Sequence, residues 1–234
     1  MAFLCPLNPA RSLCYRTQMF IGHFGVGLAA KKLAPRASLA TLFFAAQFLD
    51  LIWPIFLLLG LEHVRIVPGI TRMSPFDFYD YPISHSLVTV AGWALLLGGA
   101  YYAIRRNARD AATVGLAVLS HWVLDLLVHR PDLPLWPGGL KVGLGLWNNW
   151  AAEISIEVAV FAAGIWIYST VTGARDGVGR YAFWALMGFL FLGWVASLLA
   201  GAPSNERSMA WGALSMWIVI PWAWWADQHR QARG

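Results

Sequence analysis

Apolar residues run through this chain in long, nearly unbroken blocks, near residues 37 to 61, 86 to 104, 111 to 128, 154 to 172, 181 to 200 and 208 to 226. A helix needs about 18 such residues or more to cross the hydrocarbon of a bilayer. The pattern predicts an all-α, polytopic transmembrane helical bundle with six spans. A seventh block, Phe20 to Leu33, makes only ~21 Å of helix and predicts a short N-terminal membrane-embedded helix. Pro35 separates it from the first span, with Lys31, Lys32 and Arg36 around the turn, so the two form a hairpin whose tip lies at the membrane surface.

No internal repeat, low-complexity tract or soluble linker interrupts the pattern, and residues 19–234 read as a single integral membrane domain. Residues 1–18 carry Pro6, Pro9, Arg11 and Arg16, without an apolar stretch long enough for a signal-peptide core. Met19 stands directly before the patterned segment, which reads as the true start, leaving 1–18 a non-native or disordered leader.

Composition strengthens this picture. The chain is 59% hydrophobic and 12% charged, against roughly 45–50% and about 25% in soluble domains. Its mean hydropathy is +0.56, which argues against a water-soluble enzyme. Cys5 and Cys14 have neither metal-ligand spacing nor numbers enough for a disulfide framework. The net charge of +5 comes from short Lys and Arg clusters between apolar blocks, a topology signal that predicts no nucleic-acid binding.

With the hairpin tip inside, ten Lys and Arg fall on the inner side and seven on the outer, which predicts a plasma (inner) membrane protein with a cytoplasmic C-terminus. Acids and imidazoles distribute oppositely. Only Asp110, Asp176, Asp227 and His229 belong to the inner side. Counted from Arg36 at ~1.5 Å per residue, His23 and Asp50 both reach ~20 Å above the inner surface. His121 and Asp125 reach ~18 and ~24 Å on one face of their helix, His129 lies a turn further along the same stripe, and His85 enters at the outer end of a neighbouring helix.

An Asp at the centre of a membrane helix disfavours insertion by ~2.5–3.5 kcal/mol. Two readings accommodate these groups. They hydrogen-bond one another as polar glue between helices, or they converge on a divalent cation, since His nitrogen and Asp oxygen suit Zn²⁺, Mn²⁺ or Fe²⁺. The predicted metal ligands are His23, Asp50, His85, His121 and Asp125, and the cofactor a divalent metal, Zn or Mn.

Gly22-His23, Leu49-Asp50 to Pro54, Ser84-His85-Ser86 and Ser120-His121-Trp122-Val123-Leu124-Asp125 together resemble the ordered motifs of the LexA-regulated, membrane-bound, metal-dependent hydrolase family. The resemblance spans about residues 20 to 130. It implies a divalent metal and hydrolysis of a phosphoester or lipid substrate on the extracytoplasmic side. The chain diverges where the family has a second Asp, here Ile52, a Pro, here Leu49, and a His-Arg-Gly stretch, here Asp80-Tyr81-Pro82. These departures leave open a single metal in place of two, or a non-hydrolytic member.

In the hydrolytic reading, Asp80, His85 and Asp125 are the catalytic candidates, with Asp80 orienting or deprotonating the water. Arg130 reads either as a headgroup anchor or as an interfacial residue. Glu153 and Glu157, an i, i+4 pair, form a candidate secondary polar site that repels itself unless a cation or proton intervenes; alternatively Glu153 is solvated and Glu157 alone enters the bundle. Gly22, Gly25 and Gly27 read as helix-packing positions. A transporter or permease using buried His and Asp for cations or protons is the rival reading, and a non-catalytic membrane scaffold a third.

Overall fold

The computed structural model describes residues 21–233; the leader, Met19 and both cysteines lie outside the described residues. The chain is mostly helical. Helices α1 (Ile21–Ala30), α2 (Leu39–Ala46) and α3 (Phe48–Leu58) come first, then a hairpin of β1 (His63–Ile66) and β2 (Phe76–Asp80) and the short α4 (Pro82–His85). Long helices α5 (Leu87–Arg105) and α6 (Ala108–Val128) follow, and a ladder of β3 (Leu133–Pro134) with β4 (Lys141–Val142) leads to α7 (Trp150–Val171). After β5 (Thr172–Ala174) and α8 (Gly177–Leu199) come α9 (Glu206–Leu214), α10 (Val219–Gln228) and β6 (Arg230–Ala232), which pairs back with β5.

Helices α5, α6, α7 and α8 are each long and apolar enough to cross a bilayer, and α2 with α3 adds a fifth candidate if that pair, bent by 57°, counts as one span. Six spans are therefore not reached among the described residues. The block at 208 to 226 breaks into α9, a single 3₁₀ turn at Ser215–Ile218 and α10. Pro221, in the first turn of α10, withholds the amide that would bond the Trp217 carbonyl, and the backbone tightens into the 3₁₀ turn just before it. The all-α expectation is corrected too, by three short antiparallel ladders that organise the connecting segments.

Polar caps set the helix starts. Ser38, Ser86, Asn107, Asn149, Asp176 and Asn205 each accept a backbone amide from the first turn of the helix that follows. The Gly179 amide and the His229 ring hold the Asp176 carboxyl below its ordinary range. The α1–α2 turn is fixed from below: Lys31 Nζ lies 3.0 Å from Asp227 Oδ2 on α10, and that carboxylate also accepts the Leu39 amide and the Tyr168 hydroxyl.

Two apolar cores hold the bundle, one around α3, α5, α6 and the β1–β2 and β3–β4 hairpins, the other around α1, α7, α8 and α10. Helix α1 joins them, and its seam against α7 depends on glycine. A Cβ added to Gly25 would stand 2.5 Å from the Val160 carbonyl oxygen, and one added to Gly164 would run into the Gly25 backbone. Small residues at such crossings let helix backbones touch. Gly25→Ala should therefore destabilise the protein by ~1–3 kcal/mol, whereas Gly92→Ala, with nothing within 4 Å, should be near neutral. Thermal unfolding in detergent distinguishes them.

Candidate metal centre

Helix α1 carries His23 toward α6 and α3 contributes Asp50. Helix α6 presents His121 and Asp125 one turn apart, and α4 ends on His85. All five ligand candidates come together. His23 Nε2 lies 3.4 Å from Asp125 Oδ1, and His121 Nε2 3.4 Å from Asp125 Oδ2. His85 Nε2 is 3.7 Å from Asp50 Oδ1 and 3.8 Å from Asp125 Oδ2, and His121 Nε2 is 3.7 Å from Asp50 Oδ1. The donors form two overlapping groups, His23, His121 and Asp125, and Asp50, His85 and His121, which share His121. His23, His85, His121 and Asp125 are buried, while Asp50 keeps some exposure.

These separations are too long for good hydrogen bonds, whose optimum is about 2.7–3.2 Å. They match a different geometry. Ligands ~2.1 Å from a tetrahedral Zn²⁺ stand ~3.4 Å from one another. Ring protonation points the same way. His121 Nδ1 is 2.8 Å from the Ala46 carbonyl, which can only accept, so the proton sits on Nδ1 and the Nε2 lone pair faces the cluster. Ala46 ends α2 at the 57° bend, beside Gln47. One helix further along, Pro54 supplies no amide to the Asp50 carbonyl, loosening the backbone that carries Asp50.

His85 is oriented by a longer chain. The Ser84 hydroxyl donates to Glu62 Oε2 at 2.6 Å, so its oxygen accepts from His85 Nδ1 at 2.7 Å, again leaving Nε2 to the cluster. Glu62 is itself fixed by the amides of Ile83 and Ser84, at 2.7 and 2.8 Å. A carboxylate that holds the far nitrogen of a ligating imidazole, directly or through one hydroxyl, is a recurrent outer shell of metal sites. Glu62 was not among the residues singled out from sequence. Residues 62 and 84 are brought together only by the β1–β2 hairpin, and no spacing rule encodes that contact.

Other candidates fall elsewhere. Asp80 pairs with His63 Nδ1 at 3.0 Å on the half-exposed hairpin, in neither donor group, so the water-orienting role expected of it finds no support in its position. Arg130 is held by Asp77 and by Asp132, whose Oδ2 lies 2.9 Å from its Nε, and it joins neither donor group. Glu153 and Glu157 are both fully buried, so Glu153 is not solvated at the interface; Glu157 accepts the Ile21 amide at 3.0 Å and neither joins the donor groups.

His129, the third member of the α6 stripe, packs on Trp147 and Phe78, with Nδ1 2.9 Å from Asp132 Oδ1. It lines a cavity of about 10 Å³, together with Asp50, Trp53, Phe78, His85, Asp125 and Trp147. That is about the room one water needs. Tyr81 closes the site beside His85; burial pushes its phenol well above its usual range, so the hydroxyl stays protonated and donates to the Asp132 carbonyl.

Comparison with family models, curated proteins and solved structures returns no match.

Glu62→Gln should weaken metal binding by 10–100-fold, the usual cost of losing such an outer-shell partner. Asp80→Asn should leave it unchanged. Competition for Zn²⁺ against a chromogenic chelator measures both.

Proposed function

We propose that this protein is a membrane-embedded, metal-dependent hydrolase acting on a phosphoester or lipid at the extracytoplasmic side of the plasma membrane. In this reading it is a divergent relative of the LexA-regulated family, with its C-terminus in the cytoplasm. The observation that carries the proposal is the donor geometry: imidazole nitrogens and carboxylates from four helices meet in two overlapping groups that share His121, the donor atoms of each within 4.8 Å of one another.

Which residues hold the ion follows from those contacts. His121 belongs to both donor groups: with His23 and Asp125 it would hold an ion on one side, and with Asp50 and His85 on the other. A divalent ion there, Zn or Mn, supplies Lewis acidity and lowers the pKa of water at the site. The chain supplies proton handling. His129, with Nδ1–H donating to Asp132, borders the same small cavity as the ligands. It takes a proton from the attacking water as the water oxygen bonds to the ester phosphorus or carbonyl carbon. It returns that proton to the leaving oxygen as the ester bond breaks. Asp132 holds the ring in the accepting tautomer and stabilises the imidazolium in between.

The alternative of a permease requires a cation or proton to reach the cluster from each face in turn. Asp50, His85 and Asp125 border a hollow with room for a single water, and the burial of His23, His85, His121 and Asp125 favours a reaction site over a conduit.

Purified protein should carry stoichiometric Zn or Mn by elemental analysis, and chelation should abolish phosphodiesterase or lipase activity. His121→Ala should lose both metal and activity; full metal occupancy in that variant overturns the assignment. His129→Gln should keep the metal while the rate falls by ~10²–10⁴-fold, the usual contribution of a general base.

A further inference from the structure

The donor cluster leaves a second hollow unexplained. A cavity of about 480 Å³ opens between α3, α8 and the stretch from α9 to α10. Its volume lies in the range of pockets that enclose small ligands. Trp53, Phe76, Phe189, Leu190, Met209 and Met216 supply much of its wall, and its polar groups besides Asp50 are the hydroxyls of Ser197, Ser208 and Ser215. Among the described residues no Lys or Arg lines it.

Two observations connect this groove to the metal centre and define what it can hold. Asp50 forms part of its wall and also lines the one-water cavity with His85 and Asp125, so the groove reaches the reacting groups. Gly193, Gly201 and Gly212 line or border it with nothing within 4 Å of an added Cβ, so these glycines face open room and are not part of a closed packing seam. A charged, water-soluble substrate would lose its hydration there with no cation to compensate. A hydrocarbon chain gains from every methylene removed from water or headgroup.

We propose that this groove is the chain-binding subsite of the enzyme, holding the alkyl chain of a lipid whose ester or phosphoester is presented past Asp50 to the metal centre. The proposal rests on the hydrolase reading for its substrate but not for its occupancy. Lipid enters sideways from the bilayer between α8 and α9, and the groove selects long chains over short ones. Gly193 and Gly212 are its specificity-determining positions, because a larger side chain at either fills the groove without displacing protein atoms.

The test uses the full chain, metal-loaded, in phosphatidylglycerol vesicles doped with a palmitoyl lysophospholipid bearing a diazirine at the chain end. After photolysis, label mapped by mass spectrometry should concentrate on α8 and α9 residues of the groove, several-fold above the lipid-facing Leu95 and Leu96 of α5. It should fall at least fivefold in Gly193→Leu and Gly212→Leu and persist in His121→Ala. Even labelling of all apolar faces, or a dimer that dissociates in Gly212→Leu, overturns the groove assignment. In parallel, alkyl 4-nitrophenyl phosphates separate the two readings. The ratio of C16 to C4 turnover should fall at least tenfold in Gly212→Leu, and an unchanged ratio overturns the groove. Absence of metal-dependent turnover on every chain length overturns the hydrolase, while the labelling still decides what the groove holds.

Discussion

Five ionisable side chains lie side by side inside an apolar bundle, and the need to compensate them constrains everything around them. Each would disfavour insertion if left alone in hydrocarbon. Removing a partner from a buried charged group costs several kcal/mol, so the helices cannot shift independently of the cluster. The glycine seam of α1 on α7 sets where His23 stands, the bend after Ala46 supplies the carbonyl that holds His121, and the β1–β2 hairpin brings Glu62 to Ser84 and His85.

The helical bundle and the meeting of His23, Asp50, His85, His121 and Asp125 were largely legible in the sequence for one reason: helix rise is constant. Counting residues from the basic turn placed His23 level with Asp50, and i, i+4 spacing put His121 and Asp125 on one face. Neither count depends on tertiary detail. What failed depended on it. The block at 208 to 226 looked continuous because its hydropathy is, while Pro221 interrupts its backbone. Asp80 looked catalytic because it sits where the resembling family carries polar ligands. Hairpin register pairs it with His63, two residues before the start of α4, the short helix that carries His85. Glu62, His129 with Asp132, and the binding of Arg130 by two carboxylates arise from loops folding over the outer end of the bundle, where no periodicity guides the reading.

Those loops also tie this end of the bundle together. The Arg130 guanidinium joins Asp77 on the first hairpin to Asp132 after α6, and Lys141 donates to the Phe78 and Tyr79 carbonyls across the same layer. Phe78, Tyr81, His129 and Trp147 then stack beneath it. A polar lattice thus covers an aromatic layer that borders the small cavity beside Asp50, His85 and Asp125.

The choice between polar glue and a metal turns on where the ring protons are. In the glue reading, imidazole Nε2–H groups donate to Asp50 and Asp125 and the contacts close to ordinary hydrogen-bond length. But His121 and His85 have committed their Nδ1 protons, to the Ala46 carbonyl and to Ser84. Neutral rings therefore turn lone pairs toward carboxylate lone pairs, an arrangement that repels. Protonating the rings would relieve the repulsion, yet charge-assisted pairs contract to about 2.7–2.9 Å, and these stand at 3.4 to 3.8 Å. The proposed cation between the lone pairs would satisfy both constraints at once, since it would convert the repulsion into ligation at about the separation observed.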